Sequence, residues 1–278
     1  MTLDIVDDAG PSSGQVARQA LLLPRFPGGW LQPLRNVGGF FATSLDIFVA
    51  IFKRPFPWLE FLEQTLFVAR VSTVTALVLS VPYVVTSTFM INVLLTELGA
   101  ADLAGVGASV SAVGQLGPFV TVIVVAGAGA SAMCADLGAR TIREEIDALR
   151  VMGVDPVRAL MVPRVLAATT VALLLCSLVT IAGLVGAFLF SVFFQHVTPG
   201  AFASGLTLIT GSGDIMVNLV KASLFGLTAG LIACHQGTHV TRGPAAVGNA
   251  VNETVVLSFL ALLVINVVVT AIGYEVLK

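Results

Sequence analysis

The chain has 278 residues, of which 56% are hydrophobic and only 11% are charged, and its net charge is −2. Soluble globular domains carry about 25% charged residues, and several uncharged stretches here exceed the ~18 residues that mark a transmembrane helix. The composition therefore excludes an ordinary soluble domain and predicts an all-α polytopic membrane protein, for which we expect no nucleic-acid partner.

The N-terminal region divides into an arm and an amphipathic helix. Residues 1–33 are interpreted as a loosely ordered cytoplasmic arm without a signal peptide, because the chain starts with acidic residues rather than a short apolar segment. Over residues 34–52, apolar side chains recur at helical spacing among charged ones, which indicates a helix lying in the membrane interface. A basic pair and Trp58 follow, and residues 58–70 are predicted to form a helical elbow into the first span.

Five transmembrane helices are predicted from the remaining apolar stretches. Their approximate bounds are 71–95, 115–135, 160–194, 214–235 and 252–276. Lysine and arginine precede the first span, separate the second from the third and the fourth from the fifth, and are absent from the other two loops. The positive-inside rule therefore predicts a cytoplasmic N-terminus, a cytoplasmic 136–164 loop and an extracytoplasmic C-terminus in the cell membrane. Residues 34–278 form the predicted membrane domain.

One strongly charged segment lies between the second and third spans. The spacing of Thr141 and Glu144 fits a capping box, Gly153 fits a helix C-terminus, and Asp155, just before a proline, fits the start of the next helix. These signals predict a short mixed-charge helix over residues 141–152. A solvated loop helix and a partner-docking helix explain this composition equally well.

The same segment carries a family resemblance. Residues 144–149, 152–156 and 162–164 read EEIDAL, MGVDP and VPR, and their joint spacing resembles the signature of MlaE/YrbE permeases, the membrane subunits of lipid ABC transporters that work with MCE-domain proteins. The similarity extends over about residues 35–276. It implies a permease dimer, a cytoplasmic ABC ATPase dimer, MCE proteins at the outer face, a lipid substrate and a coupling-helix role for residues 141–152.

The charged side chains of this segment are the candidates for ATPase contact. We favour Glu145 and Asp147, with Arg150 beside them, because charge on a docking helix mainly sets partner specificity. Glu144 and Asp155 complete the candidate set. By the resemblance, this helix transmits ATPase motion to the spans.

Three positions depart from the proteobacterial Mla branch of the family. Gln115 and Ala128 stand where that branch usually has a glutamate and an arginine, and Asn266 stands where it tends to have a carboxylate. These differences resemble the actinobacterial YrbE proteins of Mce operons. They imply a second permease subunit that is not identical to this chain.

Polar residues within the predicted spans are candidates for contact with substrate or an MCE protein. An ionisable group inside a span is a functional candidate by default, although Lys221 is equally well explained as a lysine that snorkels to the surface. Tyr83 lies in a hydroxyl-rich first span, whose polar groups also serve helix packing. Gln115 and Asn266 complete this candidate set.

The sequence predicts no catalytic residue, metal site or cofactor. No lysine completes the motif G-x-x-x-x-G-K-[ST], so the chain is not its own ATPase. The three histidines lack metal-ligand spacing, and no nucleophile motif is present. Asp136 is interpreted as a structural partner of Arg140 at i,i+4.

These observations favour a permease subunit of an ABC-type lipid transporter, which moves a fatty acid, sterol or phospholipid with energy from a separate ATPase. A membrane scaffold that anchors an MCE assembly without transport is one alternative. An intramembrane lipid enzyme is another, against which the absence of paired catalytic residues argues.

Overall fold

The computed structural model describes residues 32–52, 56–100, 103–209, 211–241 and 243–276. All regular secondary structure in these ranges is helical, so the all-α prediction is confirmed. The chain forms two compact units, residues 1–42 and 43–278. The described part of the first unit is the start of a helix, and the predicted arm over 1–33 lies outside the described residues except for its last two.

The helices of the described ranges are α1 (Gln32–Ile51), α2 (Trp58–Glu97), α3 (Ala104–Ile142), α4 (Glu145–Val151), α5 (Val157–Phe194), α6 (Pro199–Ile209), α7 (Ser212–Thr238) and α8 (Pro244–Val276). Helices α2, α3, α5, α7 and α8 are long and apolar enough to cross a membrane, for which about 20 residues suffice. The prediction of five transmembrane helices is confirmed. The interfacial position of α1 stays a prediction.

Helices α2 and α5 form the most extensive helix pair of the second unit. α2 buries one residue in every four from Gln64 to Asn92, and most of these are small or polar. Its large apolar side chains point outward, because in hydrocarbon it is close packing of small residues that holds helices together. A Cβ on Gly183 of α5 would lie only 2.8 Å from Val84 Cγ2 of α2.

Three stretches of α3 and α5 are π-helical, namely Val110–Leu116, Val125–Ala130 and Val157–Met161. The first and the third end two residues before a proline, Pro118 and Pro163. Proline lacks an N–H, and its ring clashes with the carbonyl four residues back, so a wider preceding turn relieves the clash. Accordingly, the Val162 N–H donates to the Val157 carbonyl, five residues back.

Helical structure extends beyond the predicted spans. α3 and α8 begin well before them, at Ala104 and Pro244, and α6 occupies a stretch predicted as a loop. α6 packs on the start of α3 so closely that a Cβ on Gly105 would collide with the Phe202 carbonyl oxygen. The start of α3 and α6 are thus held by close contact between small residues, which a search for long apolar runs does not detect.

A glycine at the crossing of α5 and α7 allows this packing to be tested. A Cβ on Gly226 would lie 2.5 Å from both the Ala168 carbonyl oxygen and Thr169 Cα. We expect Gly226→Ala to destabilise the fold by about 1–3 kcal/mol, because the backbone of α5 must move, and to lower the melting temperature of the purified protein. Gly248→Ala is the matched control, since a Cβ there meets nothing within 4 Å. Equal melting temperatures for the two variants would contradict the packing.

Candidate functional site

The charged segment differs from the predicted helix at its N-terminus. α3 continues past Thr141, whose hydroxyl lies 2.9 Å from a carbonyl oxygen of its own helix and 2.9 Å from that of Gly237 in α7. Glu144 is left-handed, with φ of 59°, and α4 spans Glu145–Val151 rather than 141–152. The predicted capping box is therefore wrong. Thr141 is still within α3, and its hydroxyl is close to carbonyl oxygens of α3 and α7 rather than to the first N–H groups of α4.

The C-terminus of α4 agrees with the prediction. Gly153 has φ of 77°; its N–H donates to the Arg150 carbonyl at 3.0 Å, and the following N–H donates to the Leu149 carbonyl at 2.9 Å. These are the paired bonds of a Schellman motif. Asp155 Oδ1 then accepts the Val157 N–H at 3.0 Å, which caps the start of α5. The turn that follows α4 is thus fixed by local hydrogen bonds.

The charges of α4 are paired within the segment. Arg143 Nε lies 2.8 Å from Glu145 Oε1, and Arg150 Nη1 lies 3.0 Å from Asp147 Oδ1. All four side chains are well exposed. Ile146 is buried and anchors the helix. The segment therefore offers an ordered, exposed array of paired charges of both signs.

Apolar side chains are exposed beside these charges. Val151 is 89% exposed and Met152 is 67% exposed, and Val154 is also exposed. Protein interfaces combine an apolar centre, in which methionine is enriched, with a polar rim. The end of α4 has this composition, which suits a surface that docks another protein.

Three of the four predicted substrate or MCE-contact residues line two adjoining clefts. One cleft, of about 440 Å³, lies among α3, α7 and α8 and contains Gln115 and Lys221. The second, of about 560 Å³, contains Gln115 and Asn266. Both clefts share Thr270 and Tyr274. The structure thus brings together a cation and two amides that lie far apart in sequence.

Lys221 has an unusual electrostatic environment. Its side chain is only 2% exposed, and it forms no ion pair within the described part of the chain. Asp214 on the same cleft wall accepts the Gly211 N–H at 3.0 Å and serves as a cap for α7. Burying a charged lysine without an ion pair is costly, so an anionic group that enters the cleft would stabilise the charged form of Lys221.

The fourth candidate, Tyr83, lies elsewhere. Its ring stacks on Phe119 with 6.2 Å between the centroids, and it lines neither of the two clefts. On α2 the buried positions are every fourth residue, including Val84, and Tyr83 falls off this face. Its role in contact with substrate or an MCE protein stays a prediction.

The predicted pair of Asp136 and Arg140 is present, with 3.3 Å between Oδ2 and Nε. The sequence analysis missed a closer partner: Arg164 Nη2 lies 2.6 Å from the same Oδ2, and Arg164 is completely buried. An arginine beside an apolar span is a functional candidate by default. That signal was available, but the positive-inside count treats Arg164 as a loop charge.

The amino-acid sequence is similar to those of known membrane transport proteins. Residues 61–272 match the protein family described as Permease MlaE. The chain is 30% identical over 237 residues to a probable ABC transporter permease protein of Synechocystis, covering 85% of this chain and 89% of that protein. It is 30% identical over 183 residues to the intermembrane phospholipid transport system permease protein MlaE of Haemophilus influenzae, covering 66% and 70%. It is 29% identical over 161 residues to the protein TRIGALACTOSYLDIACYLGLYCEROL 1, chloroplastic, of Arabidopsis thaliana, covering 58% and 46%.

The matched stretch includes nearly all of the structure described above. It contains α4, the buried Arg164 pair and the Gln115, Lys221 and Asn266 positions of the two clefts. Because it takes in about three quarters of the 278 residues, the chain belongs to the MlaE permease family.

Proposed function

We propose that this chain is the membrane-spanning permease subunit of an ABC-type lipid transporter that is driven by a separate ATPase. The observation that carries this proposal is α4, an exposed and charge-paired helix joined by short turns to two membrane helices, α3 and α5. A rigid element in this position passes a displacement directly to both helices. The names of the Synechocystis and Haemophilus relatives support the proposal.

The proposed ATPase is a pair of cytoplasmic subunits that dock on α4. Glu145, Asp147 and Arg150 supply the specific contacts, and the exposed Val151 and Met152 supply apolar area. Glu144 and Asp155 flank the helix: the first sets its entry through a left-handed turn, and the second caps α5. These two residues orient the docking surface.

In the proposed orientation, the N-terminus and α4 lie in the cytoplasm and the C-terminus lies outside. Arginines cluster around α4, whereas the loops at the opposite end of the bundle contain no lysine or arginine. By the positive-inside rule, this distribution supports the proposed orientation. Residues 34–278 then form the permease domain, and residues 1–33 form a cytoplasmic arm. MCE-domain proteins dock at the outer face.

The two clefts are the proposed entry site for lipid. Their walls combine the ammonium of Lys221 with the amides of Gln115, Asn218 and Asn266. The remaining lining is apolar except for Thr270, Tyr274 and two carboxylates, Asp214, which caps α7, and Glu275 near the end of α8. This combination suits an amphipathic molecule whose headgroup is anionic. A fatty acid or phospholipid fits it better than an uncharged sterol.

A second permease, related but not identical, completes the proposed membrane unit. Both clefts are open at the surface of this chain, and a partner packed against α3 and α8 would enclose them. Enclosure removes water from the cleft and strengthens any headgroup contact with Lys221.

Purification through a tag on this chain tests the proposed assembly. We expect native mass spectrometry to detect a Walker-type ATPase pair, a second permease of different mass and MCE-domain proteins, and the reconstituted complex to move lipid when ATP is added. MCE proteins without an ATPase, and no ATP-dependent lipid movement, would instead favour a non-transporting scaffold. A homodimer without MCE proteins or ATPase would contradict the proposed partners.

A further inference from the structure

A buried ion cluster joins α2, α3 and α5 at the end of the bundle that carries α4. Arg164 of α5 is completely buried, and its Nη2 lies 2.6 Å from Asp136 Oδ2 of α3 and 3.9 Å from Glu60 Oε1 of α2. The same Glu60 oxygen accepts a hydrogen bond from Gln64 Nε2 at 2.9 Å. One guanidinium therefore contacts carboxylates on two other membrane helices.

Arg164 also bonds to the first turn of α5, which follows the connection from α4. Its Nη1 donates to the Leu160 carbonyl at 3.1 Å, within the π-helical turn Val157–Met161. Pro163 prevents regular α-helical bonding there, and π-helical turns are frequent at functional sites. Arg164 is the first completely buried charged side chain after α4 among the described residues, and it lies in the turns of α5 that a displacement of α4 would reach first.

The burial of Arg164 makes the cluster resistant to change. Separating Arg164 from Asp136 would leave a completely buried guanidinium with only the more distant Glu60 carboxylate, 3.9 Å away, which is unfavourable in a low-dielectric interior. The ends of α2, α3 and α5 are thus expected to move together rather than slide past one another. α3 continues from Asp136 to Gln115 in both clefts, so movement of one end of α3 changes the clefts at the other.

We propose that Arg164 is a positioning residue that couples α4 to the lipid clefts, by making the adjoining ends of α2, α3 and α5 move as one body. This inference rests on the proposed transport function and adds the route by which force leaves α4. It is distinct from docking, since Arg164 is buried and cannot touch the ATPase.

Arg140 provides a matched control for the experiment. It pairs with the same oxygen of Asp136, at 3.3 Å, but its side chain is 29% exposed and the bond lies within α3. Loss of Arg140 removes a charge from the cluster without separating two helices. Loss of Arg164 removes the bond between helices.

The experiment compares Arg164→Gln, Arg164→Lys and Arg140→Gln in the full complex reconstituted with its ATPase. Assembly, ATP hydrolysis and lipid moved per ATP are measured for each. We expect Arg164→Gln to keep ATPase binding and hydrolysis while lipid moved per ATP falls about fivefold or more. Arg164→Lys keeps the charge but not the planar fork that reaches both Asp136 and Leu160, so its ratio should be intermediate. Arg140→Gln should match the unmodified complex.

A wild-type ratio of lipid to ATP in both assembled Arg164 variants would overturn the inference, since the residue would then serve folding alone. An equal fall in Arg140→Gln would also overturn it, because the effect would belong to net charge rather than to the bond between helices. If Arg164→Gln does not assemble, the amount of lipid moved per ATP by Arg164→Lys is the test: a reduced value supports the inference, and a wild-type value overturns it. Absence of ATP-driven lipid movement in the unmodified complex would overturn the proposed function, and this inference with it.

Discussion

ATP-driven lipid movement is expected to fall to background in the double variant Glu145→Lys, Asp147→Lys. Both carboxylates are exposed on α4, and among the described residues their ion pairs are with arginines of the same segment. Reversing them turns an array of both signs into a mainly positive one that repels the basic side chains of a complementary groove. The cost in docking energy is on the order of 1–3 kcal/mol, about 5–150-fold in affinity, because the contacts stay partly solvated.

The measurement is co-purification of the ATPase together with lipid transport in nanodiscs. Membrane insertion should be unaffected, because the changed side chains lie in water and Ile146 still anchors α4. ATPase bound at wild-type level with transport intact would show that α4 is a solvated loop helix. The same result would also weaken the proposed orientation. Contact with a cytoplasmic ATPase requires α4 to be in the cytoplasm, and this result would show no such contact.

A charge-inverted helix separates docking from local helix stability. The quadruple variant restores both ion pairs of the charged segment with opposite sign. Its changes are Arg143→Glu, Glu145→Arg, Asp147→Arg and Arg150→Asp. If α4 docks on a partner, transport stays lost, because the partner still meets the wrong charges. Recovery in the quadruple variant would mean that the double variant acts by weakening α4 itself.

The outcome of the α4 prediction shows which local signals survive tertiary contact. Gly153 and Asp155 behave as predicted because their bonds involve residues within five positions along the chain. Thr141 does not, since a carbonyl oxygen of α7 lies within reach of its hydroxyl. A capping box competes with every acceptor that the fold brings near, and sequence spacing contains no information about those acceptors.

The same distinction applies to the membrane helices and the clefts. Long uncharged stretches predict five spans because the bilayer imposes one length and one composition on all of them. The same stretches do not predict which side of a helix faces a cleft: Lys221 and Gln115 line the described clefts, and Tyr83 lines neither of them. A membrane helix is apolar on its lipid-facing side as well as on its packed side, so apolar residues do not identify the packed face. The sequence therefore shows which polar residues are candidates but not which cavity each of them faces.

Arg164 shows a second limit of sequence-based interpretation. Because Arg164 is near the end of a predicted span, the positive-inside rule counts it among the charges of the cytoplasmic loop. In the structure it is completely buried. Two acidic partners on separate helices make that burial tolerable, and only the fold brings them together. Whether a charged side chain is buried therefore depends on the partners that the fold brings to it, and its neighbours in the sequence do not reveal those partners.

Lipid transport is expected to fall about tenfold in Lys221→Met, with assembly intact. The methionine keeps the length of the apolar stem but removes the ammonium, which is buried and forms no ion pair among the described residues. A charge-assisted hydrogen bond to a headgroup is worth about 1.5–3 kcal/mol, and its loss at an open cleft is expected at the lower end. Lys221→Arg should retain part of the activity, since the charge stays while the geometry changes.

Ser223→Ala is the control for substitution on the same helix. Its hydroxyl donates within α7, to the Val220 carbonyl at 2.7 Å, and it lines neither cleft. Transport is measured for an anionic lipid and for an uncharged sterol, beside mass spectrometry of the lipids that co-purify. A loss that is larger for the anionic lipid places its headgroup at Lys221. Wild-type transport of both lipids by Lys221→Met would mean that the lysine only extends its ammonium toward water along an apolar wall, and the clefts would then need another residue to hold a headgroup.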